Sequence, residues 1–219
     1  MREDNKGKRN SPVRFQITLN EEQKQAKALI LQNVITVLQG KAGSGKTLLA
    51  CQIALDLFYR KEIKRIIITR PTVSKEEIGF LPGTAEEKMA PWLAPIYANM
   101  YMVHLKDKVD ELIHQGVIEV VPVAFMRGRT FVDAVVIVDE CQNITGEQTE
   151  MIVTRIGINS KMIICGDISQ VDLRKKSDSG FGFLSSLKGK INGLEVIELQ
   201  TNHRHQIVDE LLKVYSEKP

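Results

Sequence analysis

Eight residues, Gly40-Lys41-Ala42-Gly43-Ser44-Gly45-Lys46-Thr47, constrain this chain more than any others, because they place glycine, lysine and hydroxyl at every fixed position of a phosphate-binding loop. The chemistry accounts for the spacing. Gly40, Gly43 and Gly45 have no side chain and admit positive φ, so the backbone can wrap a polyphosphate and turn its N–H groups inward. Lys46 adds a mobile positive charge for the β- and γ-phosphates. Thr47 offers a hydroxyl to Mg²⁺ at the first turn of a helix whose dipole favours anions. The flanks agree, since Val34-Ile35-Thr36-Val37-Leu38 reads as a buried strand and Thr47 to Phe58 has the apolar periodicity of a helix. The expected ligand is a nucleoside triphosphate, with Leu48 counted among the residues that hold it.

One nucleotide-binding domain nearly fills 219 residues. No apolar run approaches the roughly 18 residues of a membrane span and the N-terminus has no signal-peptide core, so a cytoplasmic location away from membranes is expected. Cys51, Cys141 and Cys165 lack metal-ligand spacing and lie in or beside apolar stretches, as reduced core thiols do. Residues 1–14 carry five basic groups against Glu3 and Asp4, which leaves the whole formal excess of +3 in that segment. This basic tail, read as flexible, either touches nucleic acid or keeps itself solvated.

Along the remainder, residues 15–219, elements alternate. A helix is expected over 18–31, strands over 65–69, 117–123, 134–138, 161–165 and 194–199, and helices over 47–58, 147–155, 182–187 and 206–215. A helical region over 84–115 should be interrupted at Pro91 and Pro95. Near-continuous apolar strands alternating with helices predict an α/β fold, a single domain with a mostly parallel sheet covered by helices on both faces.

Hydrolysis requires more than a loop. The strand Val135-Val136-Ile137-Val138 ends in Asp139-Glu140, at the sheet edge where a Mg²⁺-holding carboxylate belongs. Asp139 would hold the ion through water, and Glu140 would orient and deprotonate the attacking water. The next strand runs into Gly166-Asp167-Ile168-Ser169-Gln170, where Gln170 is either a turn residue or a side chain able to bond the γ-phosphate or the water.

Leu19-Asn20-Glu21-Glu22-Gln23, the phosphate loop, Thr69-Arg70-Pro71, Gly79-Phe80-Leu81-Pro82-Gly83, Met126-Arg127-Gly128-Arg129-Thr130, Asp139-Glu140-Cys141-Gln142-Asn143, Gly166 to Leu173 and Arg204-His205 resemble, in order, the motifs of the PhoH family. The match covers about residues 15–217. Cys141 stands where the family usually has alanine. The resemblance implies a RecA-like P-loop NTPase core related to superfamily 1 helicases, with Gln23 reading adenine, Gln170 sensing the γ-phosphate and Arg204 acting as an arginine finger. For Gln23 the competing reading is a solvent-facing helix residue, and for Arg204 an ion pair near the C-terminal helix.

Helicases built as monomers draw that arginine from a second RecA-like domain, so in this chain it is expected from another copy, in a homo-oligomer. Hexameric rings are what the resemblance implies. For RNA or single-stranded DNA the candidate contacts are Arg70, Lys75, Arg127 and Arg129, with Phe80, Trp92 and Phe125 as stacking platforms nearby. Arg127 and Arg129 have a competing structural role. The expected activity is Mg²⁺-dependent ATP hydrolysis coupled to nucleic acid as a helicase-like motor. The alternative is an ATP-controlled assembly or regulatory module without translocation.

Overall fold

The computed structural model describes residues 15–71, 85–205, 207, 208, 210, 211 and 214, with 85–91 described by backbone alone. Six strands form one sheet: β1 (Ile35–Gly40), β2 (Arg65–Thr69), β3 (Ile118–Val120), β4 (Ala134–Val138), β5 (Lys161–Gly166) and β6 (Leu194–Leu199), in the order β3-β2-β4-β5-β1-β6. Every pairing is parallel. A parallel sheet needs cover on both faces, and strand residues alternate between two buried clusters accordingly. Ile66, Ile68, Val135 and Ile137 face one, whereas Ile67, Ala134, Val136 and Val138 face the other. The first is covered by α1 (Glu21–Gln32), α2 (Lys46–Tyr59), α3 (Ala85–Val103) and α4 (Lys106–His114), and the second by α5 (Gly146–Val153) and α6 (Gly180–Ser185).

Local chemistry fixes the helix starts. Asn20 caps α1 and Thr145 caps α5, each in a reciprocal capping box with Gln23 or Gln148, which satisfies amides that a helix N-terminus leaves without partners. Residues 207, 208, 210, 211 and 214 are helical, in line with the expected terminal helix.

Two expectations are corrected. Pro91 and Pro95 do not interrupt the helical region, because α3 runs unbroken through both. Trp92, Ile96, Met100 and Val103 form a buried stripe that holds α3 on the core, while Pro95 lies on its exposed side. The break falls instead at His104-Leu105. The strand expected over 117–123 is only three residues long and gives way to a 3₁₀ turn, Val123–Phe125.

Candidate active site

The phosphate loop leaves the C-terminal end of β1, between β5 and β6, and enters α2 at Lys46. Its glycines are sterically required. A Cβ on Gly40 would lie 2.5 Å from the Leu199 carbonyl oxygen, and one on Gly43, at φ +90°, would lie 2.7 Å from Arg204 Cγ. Lys46 Nζ donates to the carbonyls of Gly40 at 2.7 Å and Lys41 at 3.0 Å, and meets Ser44 Oγ at 3.4 Å. Phosphate oxygens can replace these loop acceptors without moving the lysine's backbone.

β4 delivers the two carboxylates. Thr47 Oγ1 donates to Asp139 Oδ1 at 2.6 Å, joining the first turn of α2 to the end of β4. Burial pushes the Asp139 carboxyl above its ordinary range and the Glu140 charge adds to this; the Thr47 hydroxyl, the Arg70 charge and the Glu140 amide act the other way. A bound cation would favour the ionised form here. Glu140 lies in the left-handed region at φ +52° and ψ +38°, an unusual conformation for a residue with a side chain. This turn aims its carboxylate differently from Asp139, and Gln142 Nε2 donates to it at 2.6 Å.

A cavity of about 230 Å³ lies between these elements, lined by Ala42, Gly43, Gly45, Lys46, Thr47 and Leu48 of the loop and α2, by Asp139 and Glu140, by Gln170, and by Arg204. Ser44 is buried beneath the loop and Lys41 is exposed at its rim. The donor set suits Mg²⁺, which takes one or two protein oxygens and completes its shell with phosphate and water. Thr47 Oγ1 would ligate such an ion directly and Asp139 would hold it through water, and the described residues contain no cluster of three carboxylate, imidazole or thiol groups that would build an all-protein cage.

Arg204 alters one expectation. Assigning it to a neighbouring copy assumed that it points away from its own phosphates, yet it lines the same cavity as the loop of its own chain and packs on Gly43. The residues leading into it are tied down at two points. Glu22 accepts the amides of Gln200 at 2.6 Å and Thr201 at 3.1 Å, and the His203 amide donates to the Gly43 carbonyl at 3.0 Å. Partial burial pushes the Glu22 carboxyl up, but those amides, the Thr201 hydroxyl and the His203 charge outweigh it and hold the carboxyl below its usual range.

The other predicted residues divide. Gln23 is buried rather than solvent-facing, beside Gly45, but its Oε1 accepts the Asn20 amide and its Nε2 meets His203 Nε2 at 3.4 Å, so reading adenine requires exchanging these partners. Arg70 turns inward with its Nε buried and without a hydrogen-bond partner among the described residues, and its charge acts on Asp139. Arg129 forms a two-pronged ion pair with Glu119, both bonds 2.7 Å, and lies over the Phe131 ring. Structure therefore claims it, and only Arg127 of that pair is exposed. Trp92 is no stacking platform, being buried and donating Nε1 to the Pro71 carbonyl, whereas Phe125 is exposed. Lys75, Phe80 and the tail 1–14 lie outside the described residues. All three cysteines are buried and free, with burial pushing the Cys141 thiol up to about 12.

Sequence reading missed Asp167, Gln142, Glu22 and Asn99. Asp167 Oδ2 accepts the Ala42 amide at 3.0 Å, and Asn99 reaches the cavity from α3. Gly166-Asp167 following an apolar strand was the available signal for the first; nothing local distinguishes Asn99.

The large terminase of a thermophilic bacteriophage superposes with a TM-score of 0.57 over 90% of this chain and 50% of its own, at 9% identity, a likeness of fold alone. Sequence comparison reaches further. The PhoH-like protein of Bacillus subtilis strain 168 is 41% identical over 199 residues, 90% of this chain and 62% of that protein. The PhoH-like protein of Mycobacterium tuberculosis strain H37Rv is 41% identical over 202 residues, 91% of this chain and 57% of its own. The chain thus spans about 60% of the length of these curated relatives. With the RecA-like sheet, the loop at its edge and a family model for PhoH-like protein matching residues 17–216, the chain belongs to the PhoH-like protein family.

Proposed function

We propose that this chain is a Mg²⁺-dependent ATPase working in the cytoplasm. One observation carries the reading: Lys46, the Thr47–Asp139 pair and Glu140 meet in a single cavity at the end of a parallel sheet. Lys46 and the loop amides hold the phosphates, while Thr47 directly and Asp139 through water would hold Mg²⁺, which would supply neutralisation of the phosphate charge. Glu140 takes the proton of the attacking water. Gln170, whose side chain bonds no described residue, senses the γ-phosphate, and Arg204 neutralises charge in the transition state.

Glu140→Gln tests the reading. The amide is nearly isosteric but cannot accept the proton, so turnover should fall about 10²- to 10⁴-fold while ATP binding, measured by calorimetry, stays within a few fold. Unchanged turnover would remove Glu140 from the reaction.

ATP hydrolysis is coupled to RNA or single-stranded DNA in this proposal, through phosphate contacts from Arg127 and from Arg174, Lys175 and Lys176, which are exposed and form no ion pair with a described residue. The slope of log affinity against log salt should flatten by about one for each phosphate that is no longer neutralised, so Arg127→Ala should flatten it. Arg129→Ala should instead lower the melting temperature modestly, because it removes a half-exposed two-pronged ion pair with Glu119 and the packing of the guanidinium over Phe131. A slope altered by Arg129→Ala alone would reverse these roles. A homo-oligomer remains part of the proposal on the strength of the family resemblance, a hexameric ring being the form it implies; stimulation of turnover by RNA, absent from a purely regulatory module, separates a motor from a switch.

A further inference from the structure

Gln142 is fully buried, and both ends of its carboxamide are engaged. Nε2 donates to Glu140 Oε2 at 2.6 Å, and Oε1 accepts the Asp167 amide at 3.1 Å. Asp167 in turn accepts the Ala42 amide of the phosphate loop on Oδ2 at 3.0 Å, and the Ser169 amide and hydroxyl on Oδ1 at 3.0 and 2.6 Å. Three hydrogen bonds thus run from Glu140 through Gln142 and Asp167 to the phosphate loop, crossing from the end of β4 to β5 and β1.

The chemistry of the two partners fixes the side chain between them. A carboxylate needs a donor and an amide N–H needs an acceptor, so a carboxamide fits in one orientation only. Glutamate would set an oxygen against the Glu140 carboxylate, asparagine is one carbon shorter, and an apolar residue would orphan the Asp167 amide. Among the described residues, Gln142 is the only side chain that donates to Glu140. Glu140 also has a left-handed backbone, and a residue in such a conformation holds one direction only when its surroundings over-determine it.

We propose that Gln142 is a positioning residue that fixes the Glu140 carboxylate for water activation and ties its direction, through Asp167, to the state of the phosphate loop. The same bridge brings the Gln170 turn into register, since Asp167 caps that turn and its carbonyl accepts the Gln170 amide at 3.0 Å. Loop, water-activating carboxylate and γ-phosphate sensor then move as one unit. This rests on the reading of Glu140 as the proton acceptor.

The experiment is a double-mutant cycle on the full chain, with turnover, ATP affinity and thermal melting measured for Gln142→Leu, Glu140→Gln and the pair. Gln142→Leu should lower kcat about 10²-fold, as misplacement of a reacting group by about 1 Å does, with ATP affinity within about threefold. In the Glu140→Gln background the same substitution should change single-turnover hydrolysis less than about twofold, because residues acting as a unit are non-additive. If Gln142→Leu does not fold, Gln142→Glu keeps the acceptor for the Asp167 amide, loses the donor, and should show the same kcat loss. Folded variants with kcat within twofold of normal would overturn the proposal. So would losses that multiply in the double mutant or fall equally on ATP affinity, which are the marks of a merely structural glutamine. Near-normal hydrolysis by Glu140→Gln itself would instead defeat the reading on which the proposal stands.

Discussion

Lys46→Ala is expected to lower ATP hydrolysis at least about 10³-fold, the upper end of what one pre-aimed donor contributes, and to weaken nucleotide binding as well. The ammonium faces the cavity and engages two loop carbonyls and Ser44. In the proposed complex it exchanges these for β- and γ-phosphate oxygens, where its charge counts both for the bound nucleotide and for the transition state. The fold should survive. Lys46 is only partly buried, and of the two residues whose carbonyls it leaves, Gly40 is partly exposed and Lys41 is exposed. Turnover, calorimetric ATP binding and a thermal melt on one preparation separate these effects. Near-normal turnover by a folded variant would end the assignment of this loop as the phosphate site.

What could be read from the residues was local. The loop, β2 and β6 fall where the sequence puts them because a glycine pattern and short apolar runs are nearest-neighbour signals. Proline misled the reading of α3, since a local breaker signal lost to a buried stripe whose partners lie elsewhere in the chain. Arg129 was a nucleic-acid candidate from its place in a turn near the nucleotide edge, with a structural role as the competing reading, and only the fold brings the Glu119 carboxylate to its guanidinium. Glu22 sits in the first turn of α1, where a negative charge favours a helix, yet it clamps amides about 180 residues away. The bridge through Gln142 and Asp167 was hidden for the same reason. It exists only once β4, β5 and β1 lie side by side, and no periodicity encodes that order.

Arg204→Ala should lower turnover by about 10³- to 10⁵-fold, the range for a charge-neutralising arginine in phosphoryl transfer, with a much smaller effect on ATP affinity. The deciding question is whose phosphates it serves. Packed on Gly43 and tethered through the His203 amide and Glu22, Arg204 faces its own loop. Mixing Lys46→Ala with Arg204→Ala subunits should therefore restore nothing, because neither subunit has both groups at one site. Turnover per subunit should also not depend on protein concentration through this residue. Rescue on mixing would place the arginine across a subunit interface and require the 200–205 segment to leave its loop. An oligomer could still form, but its subunits would then be joined by something other than a shared arginine, such as a common nucleic-acid strand.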